Sequence, residues 1–170
     1  FDVTNSEISK LLNNIAAAYS IKDEKKFRFQ ILAYEKAAES IESSPTELTE
    51  LYKEERLTGI PGVGSTIQSR LEELFKTGKV EHFEEVMKDI PQAVFPLLDI
   101  PSFGPKKAYK LVSEFKLDNP ETVIPDLIKI AKSGKIAPLA GFGEKSQSDI
   151  LRAISEYNLG KTKSSRMVLP

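Results

Sequence analysis

One short pattern returns three times in this chain and restricts what it can fold into. "IPGVGSTIQSRLEELF", "IPSFGPKKAYKLVSEF" and "LAGFGEKSQSDILRAI" superpose on their second glycines, Gly64, Gly104 and Gly143, at offsets of 40 and 39 residues. Each copy opens on an apolar residue (Ile60, Ile100, Leu139). Each continues through a small residue, an apolar residue and a glycine: Gly62-Val63-Gly64, Ser102-Phe103-Gly104 and Gly141-Phe142-Gly143. Seven residues past the glycine stands Leu71, Leu111 or Ile150, and eleven past it Phe75, Phe115 or Ile154. Three residues before the opening apolar position lie Leu57, Leu97 and Ile136. A fixed period marks a repeated supersecondary unit. The spacing predicts a short helix, a tight turn, and a second helix packed back on the first, with the apolar residue of the turn plugging the gap between them.

The chemistry of such a turn follows from its composition. Glycine admits left-handed or crowded backbone. A glycine at the start of a helix leaves the unpaired N–H groups and the positive dipole end open to an anion, so each turn is a candidate phosphate seat. Two other phosphate grips fail. Gly59 to Gly64 has the glycine spacing of a P-loop, but Ser65 stands where that loop needs its lysine. A dinucleotide fingerprint needs glycine at position 67, which is Ile67, and no strand pattern precedes the turn.

The rest of the chain is periodic at helical spacing, with almost no strand alternation, so an all-α fold of nine or ten short helices is expected. Thr4 and Glu7 form a candidate capping box ahead of Ile8, Leu11, Leu12 and Ile15. Phe27, Ile31, Tyr34, Ala38 and Ile41 make a second stripe. Ser44-Pro45 and Asn119-Pro120 read as helix starts, and Gly78, Gly134 and Gly160 as left-handed helix ends. Three parts are expected: a small helical domain over 1–89, a paired-hairpin subdomain over 97–158, and a linker over 159–170.

Charge is nearly balanced at −1 but unevenly spread. Residues 1–56 hold 8 basic against 11 acidic side chains, residues 57–99 hold 4 against 7, and residues 100–170 hold 12 against 7. A basic C-terminal part suits a polyanion, or is a solvated surface. Cysteine is absent, which excludes disulfides and thiolate metal sites and suits a reducing compartment. No apolar run has the length of a membrane span, and a membrane partner is not expected. His82 is the single histidine and reads as a surface helix residue. The glutamate runs at 47–56 and 81–85 read as solvated helix faces. The start at Phe1 and the end at "RMVLP" suggest a piece of a longer chain.

The three units resemble helix-hairpin-helix motifs, which bind DNA backbone phosphates without reading bases. In this order they resemble the N-terminal region of a bacterial family X DNA polymerase, over about residues 5–170. "AYEKAAESI" followed by "LTGIPGVGSTIQSRLEELFKTGKVEHFEEV" resembles its small N-terminal domain. "LLDIPSFGPKKAYKLVSEF" is similar to the hairpin of the next subdomain, "LAGFGEKSQSDILRAI" to an extra unit of bacterial members, and "SSRMVLP" to the entry into the catalytic palm.

The resemblance implies DNA contacts at Gly62 and Gly64 downstream of a gap, with Tyr34, Thr66 and Arg70 around a 5′-phosphate. It implies primer-side contacts at Ser102, Gly104, Lys106 and Lys107, and by repetition Gly141, Gly143 and Lys145 in the third unit. Main-chain carbonyls of Thr58, Ile60 and Val63, and of Leu98, Ile100 and Phe103, would seat a monovalent cation, Na+ or K+. Mg2+ would belong to the catalytic part, which needs an Asp-x-Asp pair that these residues lack. The expected partners are gapped or nicked DNA and the rest of a polymerase chain, with the protein a cytoplasmic, nucleoid-associated monomer.

The departures bear on activity. Members with 5′-deoxyribose phosphate lyase activity place their Schiff-base lysine six residues after the first hairpin's second glycine. Arg70 stands there, and a guanidinium does not form the imine. Thr66 and Gln30 replace two further pocket lysines, and Ser102 replaces a turn glycine. Expected, then, is non-sequence-specific DNA binding that positions gapped DNA for repair synthesis. A lyase module and a helical protein-interaction module are the alternatives.

Overall fold

The computed structural model describes residues 2–167, with side-chain surroundings through Lys161. Among these residues the chain forms nine α-helices and no strand, in two compact units, Phe1–Ile90 and Pro91–Pro170.

The first unit is built on α1 (Asn5–Asp23) and α2 (Arg28–Glu42). Thr4 caps α1: its hydroxyl accepts the Glu7 N–H at 3.1 Å, and the Glu7 carboxylate accepts the Thr4 N–H at 3.0 Å. Ile8, Leu12 and Ile15 of α1 are fully buried, as are Ala37, Ala38 and Ile41 of α2. The alanines on α2 let the helices approach closely, and the buried Ser9 hydroxyl is satisfied by the Ala38 carbonyl at 2.9 Å. A short α3 (Leu48–Lys53) follows. Its start is not at Ser44-Pro45, as that dipeptide suggests. The Ser44 hydroxyl bonds within its own turn to Thr46. The Leu48 N–H is instead accepted by the buried Asn5 side chain at 2.8 Å. Then come α4 (Ser65–Thr77), closed by Gly78 at φ 83°, and α5 (Glu81–Met87). Tyr52 stacks on Phe75 with ring centroids 5.0 Å apart, tying α3 to α4.

The second unit holds α6 (Val94–Leu97), α7 (Pro105–Glu114), α8 (Val123–Lys132) and α9 (Glu144–Met167). Leu97, Leu111, Leu127, Ile136 and Ile154 are fully buried at its centre. Asn119-Pro120 does not start α8 directly. Asn119 accepts the Glu121 N–H in a turn, and the helix begins two residues later after Thr122. Gly134 adopts the expected left-handed φ, 74°. Gly160 does not close a helix: α9 runs through it to Met167. The linker expected from 159 is therefore helical to that point, and positions 168–170 of it, with the end of "SSRMVLP", lie outside the described residues.

Candidate nucleic-acid interface

The three repeated segments fold into three matching turns. The Val63 N–H donates to the Ile60 carbonyl at 3.1 Å, Phe103 to Ile100 at 3.1 Å, and Phe142 to Leu139 at 3.0 Å. The third residue of each turn has positive φ: 78° at Gly62, 76° at Ser102 and 84° at Gly141. This is the pattern of a type II turn, whose second position favours proline, and Pro61 and Pro101 occupy it in the first two copies. Leu57, Leu97 and Ile136 are all buried before the turns, and Leu71, Leu111 and Ile150 after them. The turn's own apolar residue is a full plug only at Phe103, while Val63 and Phe142 are half-buried.

The expectation of a short helix entering every turn is met only in the second copy, where Leu97 ends α6. Leu57 and Ile136 lie in irregular backbone, whose polar groups need other partners. One side chain supplies them in each case. Gln68 donates its amide to the Leu57 carbonyl, and the Gln147 side-chain oxygen accepts the N–H groups of Ile136 at 3.0 Å and Ala137 at 2.9 Å. Both glutamines stand four residues after the second glycine, where the second copy, entered by a helix, has Ala108. The shared register was the signal that composition-level reading missed.

The second glycines are where the surface opens. Gly64 has φ −78° and ψ 175°, and Gly104 φ −82° and ψ 163°, extended backbone that any residue adopts. A Cβ at either position meets nothing within 4 Å. Folding therefore requires glycine at neither, in contrast to Gly62, whose φ is positive and whose Cβ would lie 3.2 Å from Ser40 Cβ. Neither α4 nor α7 has a side-chain cap. The leading N–H groups of α4, at Ser65, Thr66 and Ile67, therefore border an open seat; in α7 Pro105 has no N–H, leaving Lys106 and Lys107. Gly143, at φ 149°, opens α9 in the same register.

The basic residues divide. Lys106 is exposed beside the second turn. Lys107 folds back, with Nζ 3.5 Å from the Ser102 carbonyl and 5.8 Å from the Phe103 ring centroid. Lys145 is paired with Asp149 at 3.2 Å. Lys110 donates to the Ala140 carbonyl and lies 5.3 Å from the Phe142 ring centroid, bracing the third turn. Of the candidate cation ligands, the Ile60 and Ile100 carbonyls close the first two turns; Thr58 and Leu98 stand two residues before them, and Val63 and Phe103 end the turns.

Arg70 and Tyr34 come together behind the first turn. Tyr34 is buried beside Arg70, and its ring meets Phe83 edge-on at 5.7 Å. Burial raises the Tyr34 hydroxyl above its ordinary pKa, helped by nearby Tyr19 and opposed by Arg70. Arg70 Nε is buried without a hydrogen-bond partner, an orphaned cationic donor. His82 is not the surface residue expected. It is half-buried, with Nε2 2.8 Å from the Tyr19 hydroxyl. Among the described residues no group of three or more His, Cys, Asp or Glu side chains is placed to hold a metal ion, and no helix is long and apolar enough to cross a membrane.

Repeated type II turns, each opening an amphipathic helix at a bare glycine, define a helix-hairpin-helix protein. Residues 3–80 match the model of the helix-hairpin-helix domain. The chain is also 31% identical, over 150 residues, to the DNA polymerase/3'-5' exonuclease PolX of Bacillus subtilis. That match takes in 88% of this chain and 25% of PolX, so the chain spans about a quarter of the relative's length. Over most of its length the chain is therefore similar to the helix-hairpin-helix region of a family X DNA polymerase. The domain match and this similarity support DNA binding in a polymerase context.

Proposed function

We propose that the chain binds DNA through backbone phosphates and positions gapped DNA, with its 5′-phosphate, for synthesis by the rest of a polymerase chain. The observation that carries this reading is the pair Gly64 and Gly104: two helix starts kept bare where neither backbone nor packing asks for glycine. A phosphodiester approaching the leading N–H groups needs that space. Gly62 and Gly64 with Thr66 serve the first contact; Ser102, Gly104, Lys106 and Lys107 the second; Gly141, Gly143 and Lys145 the third. Arg70, backed by Tyr34, takes the 5′-phosphate through charge-assisted hydrogen bonds.

The same turns suit a monovalent cation. Thr58, Ile60 and Val63 offer three main-chain oxygens from one short segment, and Leu98, Ile100 and Phe103 offer the matching three. Na+ or K+ held there bridges carbonyls to a phosphate oxygen. Mg2+ belongs to the remainder of the polymerase, which acts in the cytoplasm at the nucleoid as a monomer. Mobility shift at low salt tests the reading, comparing gapped DNA bearing a 5′-phosphate with intact duplex. Tighter binding to the gapped form is expected; equal binding to both sinks gap positioning.

A protein-interaction module is favoured by one observation. Phe29 is 83% exposed and Leu32 55% exposed, one turn apart on α2. No shift with any DNA at low salt selects that reading instead.

A further inference from the structure

His82 is used by neither the turn nor the phosphate seat, yet it stands in the cluster that holds Arg70. We propose that His82 is a second, proton-gated cation of the Arg70 pocket, taking up a proton when a phosphate monoester binds there. The inference rests on the reading that Arg70 takes a 5′-phosphate, and adds a residue and a proton to it.

The geometry is a chain of contacts from the guanidinium to the imidazole. Arg70 lies beside Tyr34, and the rings of Tyr34 and Tyr19 lie 6.0 Å apart. The Tyr19 hydroxyl meets His82 Nε2 at 2.8 Å. Arg70 Nε is buried and unpartnered, so the cluster holds one unmet donor.

The groups facing His82 are Tyr19 and Lys22 from α1, Tyr34 from α2 through Tyr19, Arg70 and Glu73 from α4, and Glu85 from its own helix. Burial and then the Arg70 charge hold the imidazole below its ordinary pKa; Lys22 adds to this, while Glu73 and Glu85 oppose it. The free protein therefore carries a neutral ring at neutral pH; in the Nδ1–H tautomer its Nε2 accepts the Tyr19 O–H. A phosphate dianion on Arg70 reverses the balance, because it offsets the charge that disfavoured protonation and brings negative charge of its own. The imidazole takes one proton from solvent at Nε2 and becomes a donor. Tyr19 keeps its proton and turns from donor to acceptor. By linkage, a ring that binds its proton more tightly in the complex tightens the complex as pH falls through the ring's pKa. The monoester's own second pKa, near 6, sets the lower edge of that window.

As the single histidine, His82 gives one set of imidazole C–H signals in the proton NMR spectrum. Titrating it in the free chain, with gapped DNA bearing a 5′-phosphate, and with the same DNA bearing a 5′-hydroxyl reads the proposal directly. The phosphate complex is expected to raise its pKa by about one pH unit, equivalent to a tenfold gain in affinity across the window, and the hydroxyl complex to leave it in place. His82→Gln, which keeps an amide for Tyr19, is expected to flatten the pH dependence of the phosphate-over-hydroxyl preference between pH 6 and 8. A preference for phosphate with an unmoved His82 overturns this inference and leaves the phosphate reading standing. Equal binding of the two DNAs overturns the phosphate reading and the inference with it. The titration uses the unmodified chain, so it stands even where the variant folds poorly.

Discussion

Gln147, in the first turn of α9, accepts the backbone N–H of Ile136 eleven residues upstream at 3.0 Å, and that of Ala137 at 2.9 Å, so a single amide stands in for the helix missing before the third turn. Removing it orphans two partly buried donors. Gln147→Leu should destabilise the second unit by about 2–4 kcal/mol, since each unmet buried donor costs roughly 1–3 kcal/mol. Thermal unfolding checks this. Gln68→Leu should destabilise the first unit by less, because it removes one backbone contact, at the Leu57 carbonyl, and an exposed bond to Glu72.

The second turn carries a strained serine. Ser102 sits at φ 76°, a region that costs an L-residue about 1–2 kcal/mol. Ser102→Gly should raise stability by up to about 1 kcal/mol, the gain reduced by the added freedom of glycine in the unfolded chain. Gly62→Ala should do the opposite, since its Cβ would sit 3.2 Å from Ser40 Cβ at positive φ. Paired urea melts decide both signs.

DNA binding should be weakly salt-dependent. Few lysines border the seats, so the slope of log affinity against log salt should be about −2 to −4, at roughly −0.9 per phosphate neutralised. Lys106→Glu with Lys107→Glu should weaken binding and flatten the slope by about 1–2. Gly104→Glu should weaken binding while leaving the helical circular dichroism intact. Unchanged affinity in both variants would make the second hairpin a packing element only.

Arg70 should bind a sugar phosphate without cleaving it. Borohydride should trap no adduct between the chain and an incised abasic site. Arg70→Lys should retain binding and gain trace cleavage. A strong adduct in the unmodified chain, mapped to one lysine, would make the chain an enzyme.

Alkaline pH should loosen the first unit. Burial raises both Tyr19 and Tyr34 above the ordinary tyrosine value of 10.0, with Arg70 opposing. The folded chain then holds these protons more tightly than the unfolded one. Stability is therefore full below pH 10 and falls as pH rises above it. The urea midpoint should hold between pH 8 and pH 9 and drop as pH rises above 10, and drop less in Tyr34→Phe.

The turns and the cap of α1 were legible because each rests on local rules: glycine or a small residue at a positive φ, Thr4 and Glu7 three apart, apolar residues at helical spacing. What was not legible depends on contacts across the fold. Asn5 starts α3 from forty-three residues away, a link no local signal carries. Ser44-Pro45 lost that role because its hydroxyl had a nearer partner. Gly160 was read as a helix end, but the cost of glycine within a helix is only about 1 kcal/mol, and that margin is too thin for spacing to decide. The pairing of His82 with Tyr19 joins α5 to α1, so a lone polar residue on a charged stretch gave no hint of it. Of the candidate site, the three turns and the glycines after them could be read residue by residue. The backing of Arg70 by Tyr34 came from resemblance, and the diversion of Lys110 to the third turn only from the structure.

Positions 64 and 104 have a consequence for how tolerance is measured. A library scored on thermal survival alone should accept nearly every side chain at both, because the backbone is relaxed and the space beside it is empty. The same library scored on retention of DNA should accept almost none. The gap between the two scores marks surface shaped by something outside the polypeptide, and it can be mapped before any complex is seen.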